Sequence, residues 1–150
     1  MAPRPCVAVG PYEGGTMSLD QERATAFLDS YRRAWESWDV EGFVALFSDK
    51  AVYVDHPIEK IAVGREAVAD FLRNEEAEQG TASVRMGQPI ISGNRVAVEY
   101  WVTKTNQGEE ATLTGCLIAQ LDPADGLCTR IHEYWFDLEG HHTPCAGWGS

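Results

Sequence analysis

Apolar residues recur at three- and four-residue steps through the first half of the chain and at alternate residues through the second, so helices are expected early and strands late. Ser18 with Asp20 and Glu22 reads as a helix entry. Beyond it, Ala24, Phe27, Leu28, Tyr31, Trp35 and Trp38 share one aromatic face, and Arg23, Asp29, Arg32, Arg33 and Glu36 the other. Asp39 to Gly42 breaks this helix, and Phe43, Leu46 and Phe47 predict a short second one stopped near Ser48 and Asp49. Ala51 to Pro57 is an apolar strand ending in a carboxylate, an imidazole and a proline. An irregular loop then reaches Gly64, and Val68, Phe71 and Leu72 mark a third helix running through Glu75, Glu76 and Glu78 to Gly80. That acidic cluster lies at the negative end of the helix dipole and is expected to fray into solvent.

From residue 82 the period becomes two. Strands are expected over about 83–92, 95–105, 110–121 and 127–137, with turns at Gly93-Asn94, Gln107-Gly108 and Pro123 to Gly126. Four long strands in a meander after three helices and one short strand predict an α+β fold, its sheet packed on one face by the helices. Residues 1–17, rich in proline and glycine, read as a loose tail or upstream extension with Met17 as a possible functional start. Residues 18–138 form the domain and 139–150 an irregular C-terminal tail.

Composition narrows the function classes. The chain is 44% hydrophobic, and 12 basic against 23 acidic residues give a net charge of −11. Such a charge repels nucleic-acid phosphates and anionic lipid. No stretch approaches the ~18 apolar residues a membrane span needs, so a cytoplasmic protein is expected. Cys6, Cys116, Cys128 and Cys145 match no zinc spacing and are read as free thiols. Phosphate-loop, dinucleotide, HExxH, GxSxG and calcium-loop patterns are absent, and no metal or organic cofactor is expected.

The order of elements, together with Trp38 to Gly42, Ala51 to Pro57, Gly64 to Val68 and Glu133-Tyr134-Trp135, resembles the nuclear transport factor 2-like superfamily, which includes ketosteroid isomerase and the SnoaL-like polyketide cyclases. The resemblance implies a cone-shaped, cystatin-like fold of three N-terminal helices on a curved, mainly antiparallel sheet. It places the isomerase's general base on Asp55 and its oxyanion-binding tyrosine on Tyr31. The isomerase's protonated acid falls on Leu117, or on Cys116 if the register slips. Neither can replace it, so one oxyanion donor is missing.

With Trp135 facing the pocket, as the resemblance implies, strand alternation turns Ile131, Glu133, Asp137, Val96, Val98, Tyr100, Leu113, Gly115 and Leu117 to the same concave side. Asp55, Glu133 and Tyr31 are then the catalytic residues. Trp35, Tyr53, His56, Val98, Tyr100, Leu117 and Trp135 shape the substrate site. The expected activity is SnoaL-like acid/base chemistry (cyclisation, isomerisation, hydration or dehydration, or epoxide opening) on a hydrophobic cyclic or polyketide-like molecule. The alternatives are a non-catalytic binder of a small hydrophobic ligand and a dimeric protein-interaction module. Trp101, Cys116, Ile118, Tyr134 and Phe136 fall on the convex face, and an outer face this apolar predicts a homodimer.

Overall fold

The computed structural model describes residues 19–56 and 60–150. The expected tail over 1–17, the Ser18 helix entry, Cys6 and Pro57 lie outside the described residues. The elements are α1 (Leu19–Ser37), α2 (Val40–Val44), β1 (Phe47–Asp55), β2 (Lys60–Val63), α3 (Arg65–Gln79), β3 (Thr81–Met86), β4 (Ile90–Ser92), β5 (Arg95–Asn106), β6 (Glu109–Leu121) and β7 (Cys128–Glu139). One sheet runs β2-β1-β7-β6-β5-β3, and β4 also pairs with β5. Every pairing is antiparallel except β1 with β7, which is parallel.

The aromatic face of α1 forms the core as its spacing predicts. Ala24, Phe27, Leu28, Tyr31 and Trp35 are buried with Phe43 and the inward residues of the sheet. The helix ends in a Schellman turn: Asp39 N–H donates to Ala34 O at 2.8 Å and Trp38 N–H to Trp35 O at 3.1 Å. The left-handed position that glycine usually fills is held by Trp38 (φ 47°). Its indole N–H donates to Leu72 O at 3.0 Å and its ring meets Phe43 at 5.4 Å, contacts that compensate the conformation. Asp39 then caps α2 by accepting from Gly42 N–H at 3.0 Å.

Four local expectations change. Phe47 begins β1 instead of closing the second helix, because its carbonyl accepts from the Arg65 guanidinium and its ring is fully buried beside Tyr53. The segment after Pro57 includes β2, which folds back on β1 with Lys60 opposite Asp55. The expected 83–92 strand is two strands, since Pro89 lacks a ladder donor and Gly87-Gln88 meets the C-terminal segment, with Gln88 N–H donating to Gly149 O at 2.7 Å. Finally, α3 stays helical through Gln79, and Glu75 bonds Lys60 at 2.8 Å where solvation of the cluster was expected. Helical periodicity puts Phe71, Glu75 and Glu78 on one face, turned to the sheet.

Beyond Glu139 the chain has no helix or strand, yet it is docked on the outer face of the sheet. Trp101 Nε1–H donates to His142 O at 3.0 Å, and Trp148 packs edge-on against Trp101 at 6.0 Å beneath Arg85. Trp101, expected on the convex face against a second copy, is partly covered by its own chain. Tyr134 and Phe136 remain 41% and 64% exposed there. Among the described residues no helix is long and apolar enough to cross a membrane.

Candidate active site

The sheet register assembles the site. Val98, Leu117, Glu133 and Asp55 form one cross-strand row over β5, β6, β7 and β1, and Tyr100, Gly115 and Trp135 form the row beside it. Alternation turns both rows to the helix-covered face. Only the parallel β1–β7 pairing makes Asp55 and Glu133 neighbours, and it sets the end of β1 beside the middle of β7, a strand far away in sequence.

Both carboxyls are buried, Asp55 at 8% and Glu133 at 5% exposure, and each has an aromatic partner. Tyr31, on α1, donates its hydroxyl to Glu133 Oε1, and Trp135 Nε1–H donates to Asp55 Oδ1 at 2.8 Å. The ring of His56 lies over Trp135 at 4.8 Å. Tyr31 itself packs against Phe43 at 5.0 Å, Phe27 at 5.7 Å and Trp35 at 6.1 Å, so its hydroxyl is aimed by three rings around it.

Burial pushes the Glu133 carboxyl up from 4.5 to about 7; hydrogen bonds from Tyr31 and Tyr53 oppose the push and the Asp55 charge adds to it. Asp55 is also raised by burial, less strongly, because the Trp135 indole and the Lys60 charge favour its ionised form. The two acids are thus separated: near neutrality Asp55 is the carboxylate and Glu133 shares a proton with solvent or ligand. Burial, followed by the Glu133 charge, keeps the phenols of Tyr31, Tyr53 and Tyr100 protonated.

A cleft of about 170 Å³ opens on this pair, walled by Trp35, Trp38, Tyr53, Phe71 and Trp135, with Leu113 and Asp137 on the sheet and Glu75, Glu78 and Gln79 from α3. It adjoins a wider surface trough of about 670 Å³ that shares Glu78, Lys104 and Asp137. Of the expected site residues, Asp55, Glu133, Trp35, Tyr53 and Trp135 line the cleft. Val98, Leu117, Tyr100 and Tyr31 are buried behind these walls, and His56 touches the site through Trp135. Sequence reasoning missed Trp38, Phe71 and the α3 acids as cleft residues. The i, i+4, i+7 spacing of Phe71, Glu75 and Glu78 was the available signal.

Among the described residues, three helices packed on one face of a curved, mostly antiparallel sheet make the α+β fold of the nuclear transport factor 2-like class. Residues 28–131 match the SnoaL-like domain model, and the chain belongs to that family. No curated protein matches the chain. Solved structures do. A protein of ketosteroid isomerase-like fold from Catenulispora acidiphila, crystallised with trimethylamine, is 18% identical over 72% of this chain and 83% of its own, with a TM-score of 0.64. An LEH-like epoxide hydrolase from Mycobacterium tuberculosis is 18% identical over 77% and 84%, TM-score 0.65. The epoxide hydrolase/cyclase-like enzyme SalBIII of salinomycin pyran-ring formation is 23% identical over 80% and 95%, TM-score 0.65. At these identities the likeness carries the fold.

Proposed function

We propose that the protein is a SnoaL-like enzyme performing acid/base chemistry on a compact, hydrophobic cyclic substrate, with Asp55 as the base and Glu133 as the acid. The observation that carries this reading is the Asp55–Glu133 pair: two buried carboxyls in one register, facing a cleft, with environments that push their proton affinities apart. Asp55 takes a proton from carbon or from water. Glu133, held by Tyr31, returns one to the developing oxyanion or leaving oxygen. The carboxyl of Glu133 stands one strand over from Leu117, in the same cross-strand row, and so substitutes in part for the acid missing there. Tyr31 has a single proton, and with that proton on Glu133 its part is to position the acid.

The cleft volume supports a small substrate, since ~300–1,000 Å³ is usual for drug-sized ligands. Cyclisation, isomerisation, hydration or dehydration and epoxide opening are all served by such a pair. The open cleft favours an enzyme or a ligand binder over a pure interaction module. We place the activity in a cytoplasmic homodimer that associates through the convex face, where free Cys116 and exposed Tyr134 and Phe136 lie.

The test is deuterium incorporation, followed by NMR in D₂O, into a panel of compact cyclic ketones and enones, with hydrolysis of cyclic epoxides followed in parallel. Wild-type protein accelerates one of these, and Asp55→Asn lowers the rate by about 10²–10⁴-fold. An Asp55→Asn protein as active as wild type removes Asp55 as the base.

A further inference from the structure

The Tyr100 hydroxyl is buried with no hydrogen-bond partner among the described residues, and the residue is 0% exposed. Buried hydroxyls almost always find a partner, so one held without any calls for an explanation in the chemistry of its surroundings. Those surroundings are the site. Tyr100 stands in the row beside Glu133, its ring meets Trp35 edge-on at 4.9 Å, and the charges of Glu133 and Asp55 both act on its hydroxyl. Between Tyr100 and Trp135 the row holds only Gly115. A Cβ there would run into the Tyr134 carbonyl and stand 2.8 Å from Trp135 Cα, so close strand approach keeps this gap free of a side chain.

The other donors near the acids are committed. Tyr31 and Tyr53 bond to Glu133, the Trp135 indole gives its proton to Asp55, and Leu117 has none to give. From this we infer that Tyr100 is a ligand-binding residue: its hydroxyl, which lies behind the Trp35 wall of the cleft, donates to an oxygen of a bound substrate that reaches past that wall, beside the Glu133 carboxyl. The substrate class follows. It is a compact ring carrying a carbonyl, ether, epoxide or hydroxyl oxygen, seated with that oxygen toward Tyr100 and Glu133 and its apolar body against Trp35 and Trp135. This assignment rests on the acid/base reading of the same cleft.

The experiment uses two probes of equal ring size that differ by one oxygen, 4-fluorophenol and fluorobenzene, titrated against the full chain by ¹⁹F NMR. Wild-type protein prefers the phenol. Tyr100→Phe lowers that preference by about five- to tenfold, the loss of one hydrogen bond. It leaves fluorobenzene affinity unchanged, and its melting temperature is equal to or above that of wild type because an unsatisfied group has been removed. A Tyr100→Phe protein that keeps the preference overturns the inference while leaving the acid/base reading intact. One that melts lower or fails to fold overturns it as well, because the hydroxyl then has a structural partner. If wild-type protein takes up neither probe, the ligand cleft itself is refuted and this assignment falls with it.

Discussion

Asp55 and Glu133 occupy partner positions in the parallel β1–β7 ladder, and each carboxyl accepts from a different aromatic side chain. Strands in a ladder lie ~4.8 Å apart, so two acids in one row act on each other's charge. Burial, deeper at Glu133, and then the differing partners decide which acid keeps its proton. Asp55 has an indole N–H and the field of Lys60, whereas Glu133 lies deeper and has only phenols.

Trp135→Phe tests the indole. It keeps a ring for His56 to lie over but removes the donor that favours ionised Asp55. The Asp55 pKa then rises further, and the acid limb of the pH–rate profile moves to higher pH. Turnover at neutral pH falls by about tenfold, the scale of one hydrogen bond to a charged group. An unmoved acid limb in the exchange assay would mean that the indole does not tune the base.

Much of this was legible from the chain. Helical spacing from Ala24 to Trp38 and alternation after residue 82 define the elements, and alternation alone turns Glu133 and Trp135 to the same face. What alternation does not carry is which strand lies beside which. The parallel partnership of β1 with β7, and so the pairing of Asp55 with Glu133, depends on contacts between residues about eighty positions apart. The Trp38 turn was hidden for a different reason: a tryptophan with positive φ is sustained by Leu72 and Phe43, partners that local sequence does not name. The docking of Trp148 on Trp101 was equally invisible, because a glycine-rich segment has no periodicity to read.

Tyr31→Phe tests positioning of the acid. The ring contacts to Phe43 and Trp35 are retained, and Glu133 loses a donor in the core. Unfolding free energy measured with urea drops by about 1–3 kcal/mol at pH 8, where Glu133 is ionised and needs that donor most. The drop is smaller at pH 5.5. Equal losses at both pH values would show that the hydroxyl contributes packing alone.

The convex face tests the proposed homodimer. Phe136 and Tyr134 expose large rings on β7, whereas Trp101 is partly covered by the C-terminal segment. Light scattering well above micromolar concentration gives twice the chain mass for wild type and the single-chain mass for Phe136→Asp, since a charge at the centre of an apolar interface is costly. A wild-type monomer under those conditions counts against the dimer.

Glu133 also leaves a signature in the pH dependence of stability. Its carboxyl titrates near 4.5 in the unfolded chain and at about 7 in the fold. Below pH 4.5 both states are protonated and the group costs nothing. Between 4.5 and 7 the folded state binds the extra proton, so stability falls as pH rises and the loss is complete just above 7. At roughly 1.4 kcal/mol per pH unit, the full loss is about 3 kcal/mol. Glu133→Gln removes the titration, and the difference between wild type and variant, measured by urea unfolding from pH 4 to pH 8, isolates it from the other carboxyls. The variant loses less stability than wild type across this range by about that amount. A difference that stays flat would place Glu133 in an environment no less polar than water, and the assignment of acid and base would have to be reversed or abandoned.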